Sequence, residues 1–192
     1  LNAGHSVLGI LGALHGHPTI NACIEDPVFK TYLRAFLDTE ATPILGTIEG
    51  IDLEAYKDSL LERFANPNIK DSVSRICSES SAKLPKFLIP TIQENLASGG
   101  SIQFATLVIA AWCYYSDKQT DLTGNPLDIT DALKEELHEV AEATDYDPLA
   151  FIKHRALFGD LIKNGQFITT YHVMLEQLHE EQDIKKLMQD LL

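Results

Sequence analysis

Residues 2–16 read Asn-Ala-Gly-His-Ser-Val-Leu-Gly-Ile-Leu-Gly-Ala-Leu-His-Gly, a run that is mostly apolar and rich in glycine. This composition predicts a helix that carries polar groups at its start. In such a helix Asn2 and His5 project from one face, one turn apart. A carboxamide and an imidazole that point at one place can bind a hydroxyl or carbonyl oxygen. Asn2 and His5 are therefore candidates for a site that binds such an oxygen.

The same helix carries a strip of small residues, formed by Gly9, Gly12, Ala13 and Gly16. A glycine in a helix interior is less favourable than alanine by up to about 1 kcal/mol, so several together indicate a packing or functional reason. We expect another element to pack closely against this strip. The glycine spacing does not match a phosphate-binding loop, so the chain is not expected to hold a dinucleotide by its own fold.

Length and charge narrow the class of protein. A chain of 192 residues with 45% hydrophobic content is long enough for one domain with a substantial core. The net charge of −13 argues against a nucleic-acid partner, because binding of nucleic acids rests on phosphate neutralisation. The longest apolar run, residues 107–115, is too short to cross a membrane, which takes about 20 residues. We expect neither a nucleic-acid nor a membrane partner.

The cysteines and histidines show no metal-binding spacing. Cys23, Cys77 and Cys113 are widely spaced and odd in number, which is typical of reduced thiols in a cytoplasm. His15 and His17 are two positions apart and do not share a helix face, so we expect both to face solvent at the helix end. Four further histidines lack any partner at ligand spacing; they are His138, His154, His172 and His179. The prediction is that there is no metal site.

The first half of the remaining chain predicts short helices with clear starts. Asp26, followed by proline, and Asp52 are typical N-caps of two amphipathic helices. Asp71 is expected to cap a third, short helix that runs through Cys77. Residues 78–83 are expected to form a serine-rich loop.

The second half predicts longer helices around a buried centre. A helix over 86–97 is expected to be bent or interrupted at Pro90. The next helix, 102–115, is apolar nearly all round and is expected to be the buried core helix, with Trp112 inside it. A polar loop over 117–129 and four more helices complete the prediction, at about 130–143, 148–157, 161–178 and 181–192. No alternating run predicts a strand, so the fold class is all-α in a single domain.

Several motifs resemble the polyol-specific long-chain dehydrogenases. The start of the chain resembles the Asn-x-x-His end of the Lys-x-x-x-x-Asn-x-x-His motif of that family, which includes mannitol 2-dehydrogenase, arabinitol dehydrogenase and the hexuronate reductases. Residues 26–97 resemble the mannitol 2-dehydrogenase branch through Asp-Pro-x-Phe, Tyr-x-Arg-Ala-Phe, Gly-Ile-Asp-Leu, Arg-Phe-x-Asn and Arg-Ile-Cys-Ser-x-x-Ser-x-Lys. Ala-Ala-Trp at 110–112 also matches.

The resemblance implies a fold and a domain organisation. The expected fold is a multi-helix bundle like the C-terminal domain of 6-phosphogluconate dehydrogenase. Residues 1–192 would be the C-terminal, substrate-binding helical domain of a longer chain. The catalytic lysine, five residues before the asparagine of the motif, and an N-terminal Rossmann domain would lie outside it. That domain would hold NAD or NADP, and the reaction would need no zinc.

The resemblance also implies roles for four residues. Asn2 and His5 would bind the reacting oxygen of a polyol or ketose. Arg75 and Lys83 match an arginine and a lysine that contact hydroxyls remote from the reacting carbon. From the residues alone, Arg75 would simply pair with Asp71 at i, i+4, and Lys83 would be a solvated loop residue.

Two other functions remain open at this point. A hexuronate reductase acting on fructuronate or tagaturonate would use Arg75 or Lys83 to bind a carboxylate. A non-catalytic interaction or dimerisation module would instead use the glycine strip to pack a partner helix. This last hypothesis assigns no role to Asn2 or His5.

Overall fold

Helix α1 (Asn2–His15) is the element on which the surrounding helices pack. The computed structural model of the chain describes residues 1–192. From Gly4 to Leu14 every residue of α1 is buried except His5, which is half-buried. The helix ends where Gly16 adopts φ +88°, a left-handed conformation that glycine takes without steric penalty. The helix expected over residues 2–16 is therefore confirmed.

The rest of the chain is also helical. The further α-helices are α2 (Ile20–Glu25), α3 (Pro27–Phe36), α4 (Thr42–Leu45), α5 (Leu53–Phe64), α6 (Val73–Cys77), α7 (Ser80–Phe87), α8 (Ile89–Ser98), α9 (Gln103–Lys118), α10 (Lys134–Glu142), α11 (Arg155–Phe158), α12 (Gly165–Glu181) and α13 (Ile184–Asp190). A π-helical turn (Leu37–Ala41) joins α3 to α4, and 3₁₀ turns lie at Ala143–Asp145, Phe151–Lys153 and Leu161–Lys163. Only two isolated β-bridges are present, so the all-α class is confirmed. None of the helices combines the length and the apolar character needed to cross a membrane.

Helix α9 forms the centre of the core. It is buried from Phe104 to Asp117, and α1, α10 and α12 all pack against it. Trp112 is fully buried, with its ring centroid 5.2 Å from that of Phe151. The prediction of a buried central helix containing Trp112 is confirmed, and the helix runs three residues further than expected, to Lys118.

A buried carboxylate caps the N-terminus of α9. Glu40, in the π-helical turn, accepts hydrogen bonds from the backbone N–H groups of Phe104 and Ala105 at 2.8 Å each and from the hydroxyl of Ser101 at 2.9 Å. These donors are groups that a helix start leaves without an internal partner. Burial nevertheless raises the pKa of Glu40 to about 7. The contact joins the turn after α3 to the central helix.

The structure corrects the predicted starts of α6 and α7. Ser72, not Asp71, caps α6, because its hydroxyl accepts from the N–H of Arg75 while the Asp71 carboxylate is paired with the Arg75 side chain. The expected serine-rich loop is mostly helix α7. Its second serine, Ser81, donates from both its backbone and its hydroxyl to Asp131, a tertiary contact that the sequence does not reveal.

Other helix boundaries also differ from the expectation. The helix expected over 86–97 is interrupted, but at Leu88 and not at Pro90. Pro90 lies in the first turn of α8, where its missing N–H is not needed. Helix α10 begins at Lys134 rather than near residue 130. The helix expected over 148–157 is a 3₁₀ turn followed by the short α11, and Asn164 caps α12 after another 3₁₀ turn.

The three cysteines are buried and free. Burial raises the pKa of each thiol to about 12, which keeps all three protonated at neutral pH. Protonated, buried thiols are poor nucleophiles. The cysteines therefore act as small core residues.

Candidate functional site

Three helices carry the four predicted site residues. Asn2 and His5 lie in the first turns of α1, one turn apart as their spacing predicts. Helices α6 and α7 both pack against α1, and they carry Arg75 and Lys83 respectively. The carboxamide of Asn2 is exposed, and its backbone carbonyl accepts from Ser6. The fold thus places all four residues on one group of packed helices.

His5 sits in a half-buried niche at the edge of α5. Its ring lies 4.4 Å from the ring of Phe64, centroid to centroid. Burial lowers the pKa of His5, and the positive charges of Arg63, Arg75 and the Leu1 amino group lower it further, while Asp71 opposes them. The imidazole is therefore neutral at neutral pH, with one N–H donor and one acceptor nitrogen.

Arg75 is held by a carboxylate one turn earlier. Its guanidinium forms an ion pair with Asp71, as the i, i+4 spacing predicts. The side chain of Arg75 is 64% exposed, whereas that of Asp71 is 22% exposed. The guanidinium is therefore accessible to a ligand and is oriented from one side.

Lys83 is not the solvated loop residue that the sequence alone suggested. It belongs to α7, is half-buried, and donates from Nζ to the backbone carbonyl of Ile76 at 3.0 Å. That carbonyl is near the C-terminal end of α6, where helix carbonyls lack internal partners. The lysine thus ties α7 to α6 beside α1.

The glycine strip is filled by the chain's own residues. A Cβ at Gly9 would lie 2.9 Å from the side chain of Ile76, and one at Gly12 would lie 2.6 Å from the sulfur of Cys23. The prediction of close packing against this strip is confirmed. Because α6 and α2 already cover Gly9 and Gly12, a partner helix cannot dock against these two positions.

His15 and His17 were expected to face solvent at the helix end, and the structure corrects this expectation because the two rings lie together. Their ring centroids are 4.6 Å apart, and both rings pack near Phe29. The helical spacing rule fails here because Gly16 ends α1 and turns the chain between them. With Asp26 they form a group whose potential ligand atoms all lie within 4.8 Å of one another.

A lysine of the chain already serves as the cation of this group. Lys185, from α13, donates from Nζ to Oδ2 of Asp26 at 2.7 Å, and Nε2 of His17 lies 3.4 Å from the same oxygen. A metal ion would have to displace this ammonium group. The contact between Lys185 and Asp26 instead joins α13 to the start of α3.

Comparison with known proteins places this geometry in a family. The family model described as the mannitol dehydrogenase C-terminal domain matches residues 1–179. The chain belongs to the mannitol dehydrogenase C-terminal domain family. Its fold superposes on Pseudomonas fluorescens mannitol 2-dehydrogenase, solved as a ternary complex with NAD and D-mannitol, with a TM-score of 0.94 and 31% identity over 100% of this chain and 39% of that one.

Sequence relatives of this mannitol dehydrogenase domain agree with that match. Mannitol 2-dehydrogenase of Aspergillus fumigatus is 36% identical over 86% of this chain and 33% of its own length. A mannitol dehydrogenase of Saccharomyces cerevisiae is 34% identical over 94% of this chain and 36% of its own. The chain thus spans about a third of the length of these relatives. A D-sorbitol dehydrogenase shares the fold, with a TM-score of 0.87 at 24% identity over 98% of this chain and 38% of that one.

Sequence reasoning missed the residues that surround His5. Phe64 and Arg63 come from α5, and Asp71 comes from the segment before α6. They are far from His5 in the sequence, so no spacing rule relates them to it. The Arg-Phe-x-Asn motif, which contains Arg63 and Phe64, indicated a family resemblance but no contact with His5. Phe64 and Arg63 lie near His5 because α5 packs beside the first turn of α1.

Proposed function

We propose that this chain is the substrate-binding helical domain of an NAD(P)-dependent polyol dehydrogenase, which interconverts a sugar alcohol and its 2-ketose. The observation that carries the proposal is the match of the whole chain to an enzyme solved with NAD and D-mannitol. The grouping of Asn2, His5, Arg75 and Lys83 on α1, α6 and α7 supports it further.

The glycines of α1 do not form a phosphate-binding loop. Gly9 and Gly12 are packed against Ile76 and Cys23, so they cannot cradle a phosphate. The chain also lacks the strand that precedes a dinucleotide-binding turn. We therefore place NAD or NADP on a Rossmann domain outside this chain. The nicotinamide supplies the hydride acceptor or donor.

The first turns of α1 bind the reacting oxygen in this proposal. Asn2 donates from its carboxamide and neutral His5 donates from a ring N–H to that oxygen. In alcohol oxidation the oxygen loses its proton to the general base, the lysine that the family motif places outside this chain. Donors already in position stabilise the negative charge that develops there.

Helices α6 and α7 bind the far end of the substrate. The exposed guanidinium of Arg75 can donate two parallel hydrogen bonds to neighbouring hydroxyls. The ammonium of Lys83 has three donors and spends one on Ile76, so two remain for a ligand. Such contacts determine which polyol fits.

The test is nicotinamide-linked activity of the full-length polypeptide that carries this domain. The panel consists of mannitol, arabinitol, sorbitol, fructose, fructuronate and tagaturonate, with NAD and with NADP, in the presence of a chelator. Polyol oxidation that survives chelation is expected. Activity on the uronates alone would reassign Arg75 and Lys83 to carboxylate binding, and inactivity across the panel would contradict a dehydrogenase.

Two histidine variants test the assignment of His5 to the catalytic site. His5→Ala is expected to lower kcat/KM by about a hundredfold or more, because it removes a donor to the developing charge. His172→Ala, on the surface of α12, is the matched control and should leave kcat/KM unchanged. A loss below about threefold for His5→Ala would remove this residue from the catalytic site.

A further inference from the structure

Asp71 lies between two of the candidate site residues. Its carboxylate is ion-paired with the guanidinium of Arg75. With His5, it also lines a small cavity of about 30 Å³ whose other polar wall groups are Asn21, Arg63 and Asn66. A cavity of this size has room for about one water molecule. One carboxylate therefore faces both the far end of the proposed substrate site and its catalytic end.

The backbone of Asp71 is fixed by hydrogen bonds to the segment before α2. Its carbonyl accepts from the N–H of Ile20 at 2.9 Å, and the N–H of Val73 donates to the carbonyl of Pro18 at 3.0 Å. These bonds flank an antiparallel bridge between Thr19 and Ser72. The Asp71 carboxylate is therefore attached to a fixed backbone, whereas the Arg75 side chain is mostly exposed. An exposed arginine has many rotamers, and a fixed partner reduces their number.

Asp71 is also the negative charge that acts on His5. The charged groups around this imidazole are Asp71, Arg63, Arg75 and the amino group of Leu1. Three of these are positive and disfavour protonation, while Asp71 raises the pKa of His5 against them. Without Asp71 only cations would face the ring.

We propose that Asp71 is a positioning residue of the substrate site, which aims the guanidinium of Arg75 at the substrate and orients the His5 ring across the shared cavity. An isolated surface ion pair at i, i+4 contributes little. The fixed backbone and the shared cavity distinguish Asp71 from such a pair. The inference rests on the proposed function, because it assigns Asp71 to the same site.

Steady-state kinetics of the full-length protein test the effect on Arg75. Asp71→Asn keeps the size of the side chain and the backbone bonds but removes the charge. We expect KM for the polyol to rise about tenfold, since one charge-assisted contact to a binding residue is weakened, and kcat to fall by a smaller factor, since the His5 ring also loses an orienting charge. Asp71→Glu should recover most of the affinity. Asp160→Asn, which removes an exposed carboxylate paired with Lys163, is the matched control and should change neither constant.

A titration that does not depend on activity tests the effect on His5. In protein labelled with ¹³C at histidine Cε1, His5→Asn identifies the His5 resonance, and Asp71→Asn should lower the pKa of His5 while Asp71→Glu should not. An unchanged or lower KM in Asp71→Asn, or an unchanged pKa of His5, would overturn the positioning role. A wild-type protein that oxidises no polyol would instead contradict the proposed function, and the titration would still decide whether Asp71 acts on His5.

Discussion

The ring of Phe64 lies 4.4 Å from the imidazole of His5, with 42° between the two planes. Phe64 is 4% exposed, and its Cε2 would be 3.2 Å from a Cβ at position 4, where the chain has glycine. An aromatic side chain from α5 therefore fills the space beside the first turns of α1. This contact limits the orientations that the His5 ring can take.

Phe64→Ala is expected to loosen His5 as well as the core. Removing a buried phenylalanine costs about 3 kcal/mol or more of unfolding free energy, and we expect kcat/KM of the full-length protein to fall at least about tenfold because the donor loses its support. Urea unfolding and steady-state kinetics measure the two effects. Phe151→Ala, in the core beside Trp112, is the control for stability: it should be destabilised similarly with kcat/KM almost unchanged. Equal kinetic losses in both variants would contradict a specific role for Phe64.

Gly12→Ala is expected to destabilise the domain through a steric clash. The new Cβ would lie 2.6 Å from the sulfur of Cys23, so α1 and α2 must move apart. We expect a loss of about 1–3 kcal/mol in unfolding free energy, part of which returns when Cys23→Ala is added. Gly165→Ala is the control, because no atom lies within 4 Å of its new Cβ. If urea unfolding shows equal stability for the two glycine variants, the strip is not closely packed.

Glu40 should make stability fall as the pH rises. Its pKa in the folded chain is about 7, above its ordinary 4.5, because burial outweighs the donors from Phe104, Ala105 and Ser101. Between about pH 4.5 and pH 7, the Glu40 carboxyl group keeps its proton in the folded protein but loses it in the unfolded chain. This contribution is fully present below about pH 4.5 and is lost as the pH rises through about 7.

Glu40→Gln removes this titration. The unfolding free energy of the wild type, measured relative to that of the variant, should therefore fall by up to about 3 kcal/mol between pH 4.5 and pH 7.5. Urea unfolding at several pH values measures it. Glu94→Gln, on the exposed side of α8, controls for the loss of a carboxylate. A difference between wild type and Glu40→Gln that is constant with pH would show that the pKa of Glu40 is not raised in the folded protein.

His15 and His17 should make the domain less stable in acid. Burial lowers the pKa of both imidazoles below the ordinary 6.5, and Lys185 lowers both further. The stability that neutral imidazoles contribute is present above about pH 6.5 and is lost as the pH falls through the folded-state values. The double variant His15→Gln, His17→Gln should lose less unfolding free energy than the wild type between about pH 7.5 and pH 5. His172→Gln is the control, and identical pH profiles for the double variant and wild type would refute the expectation.

Much of the fold could be predicted because its signals are local. The N-cap roles of Asp26 and Asp52 were correct, since a carboxylate followed by helix-forming residues satisfies N–H groups only two or three positions away. The buried nature of α9 followed from its apolar composition. The start of α7 was wrong because Asp131, fifty positions along the chain, supplies the contacts that turn a serine-rich segment into helix.

The candidate site was predictable only in part. The spacing of Asn2 and His5 indicates a shared helix face, and the i, i+4 pair of Asp71 and Arg75 was correct. Lys83 was misjudged from its local sequence, because its partner is a carbonyl at the end of another helix. Whether these residues act in catalysis stays a prediction until the variants are measured.

The all-α class, the glycine-lined first helix and the buried central helix follow from the amino-acid sequence alone. These features depend on periodicity, caps and small residues, which act over one or two turns. Two features depend instead on tertiary packing: Phe64 and Asp71 flank His5, and His15 and His17 meet beyond Gly16. Such contacts depend on how separate helices pack, and packing free energy is summed over surfaces that no short stretch of sequence contains.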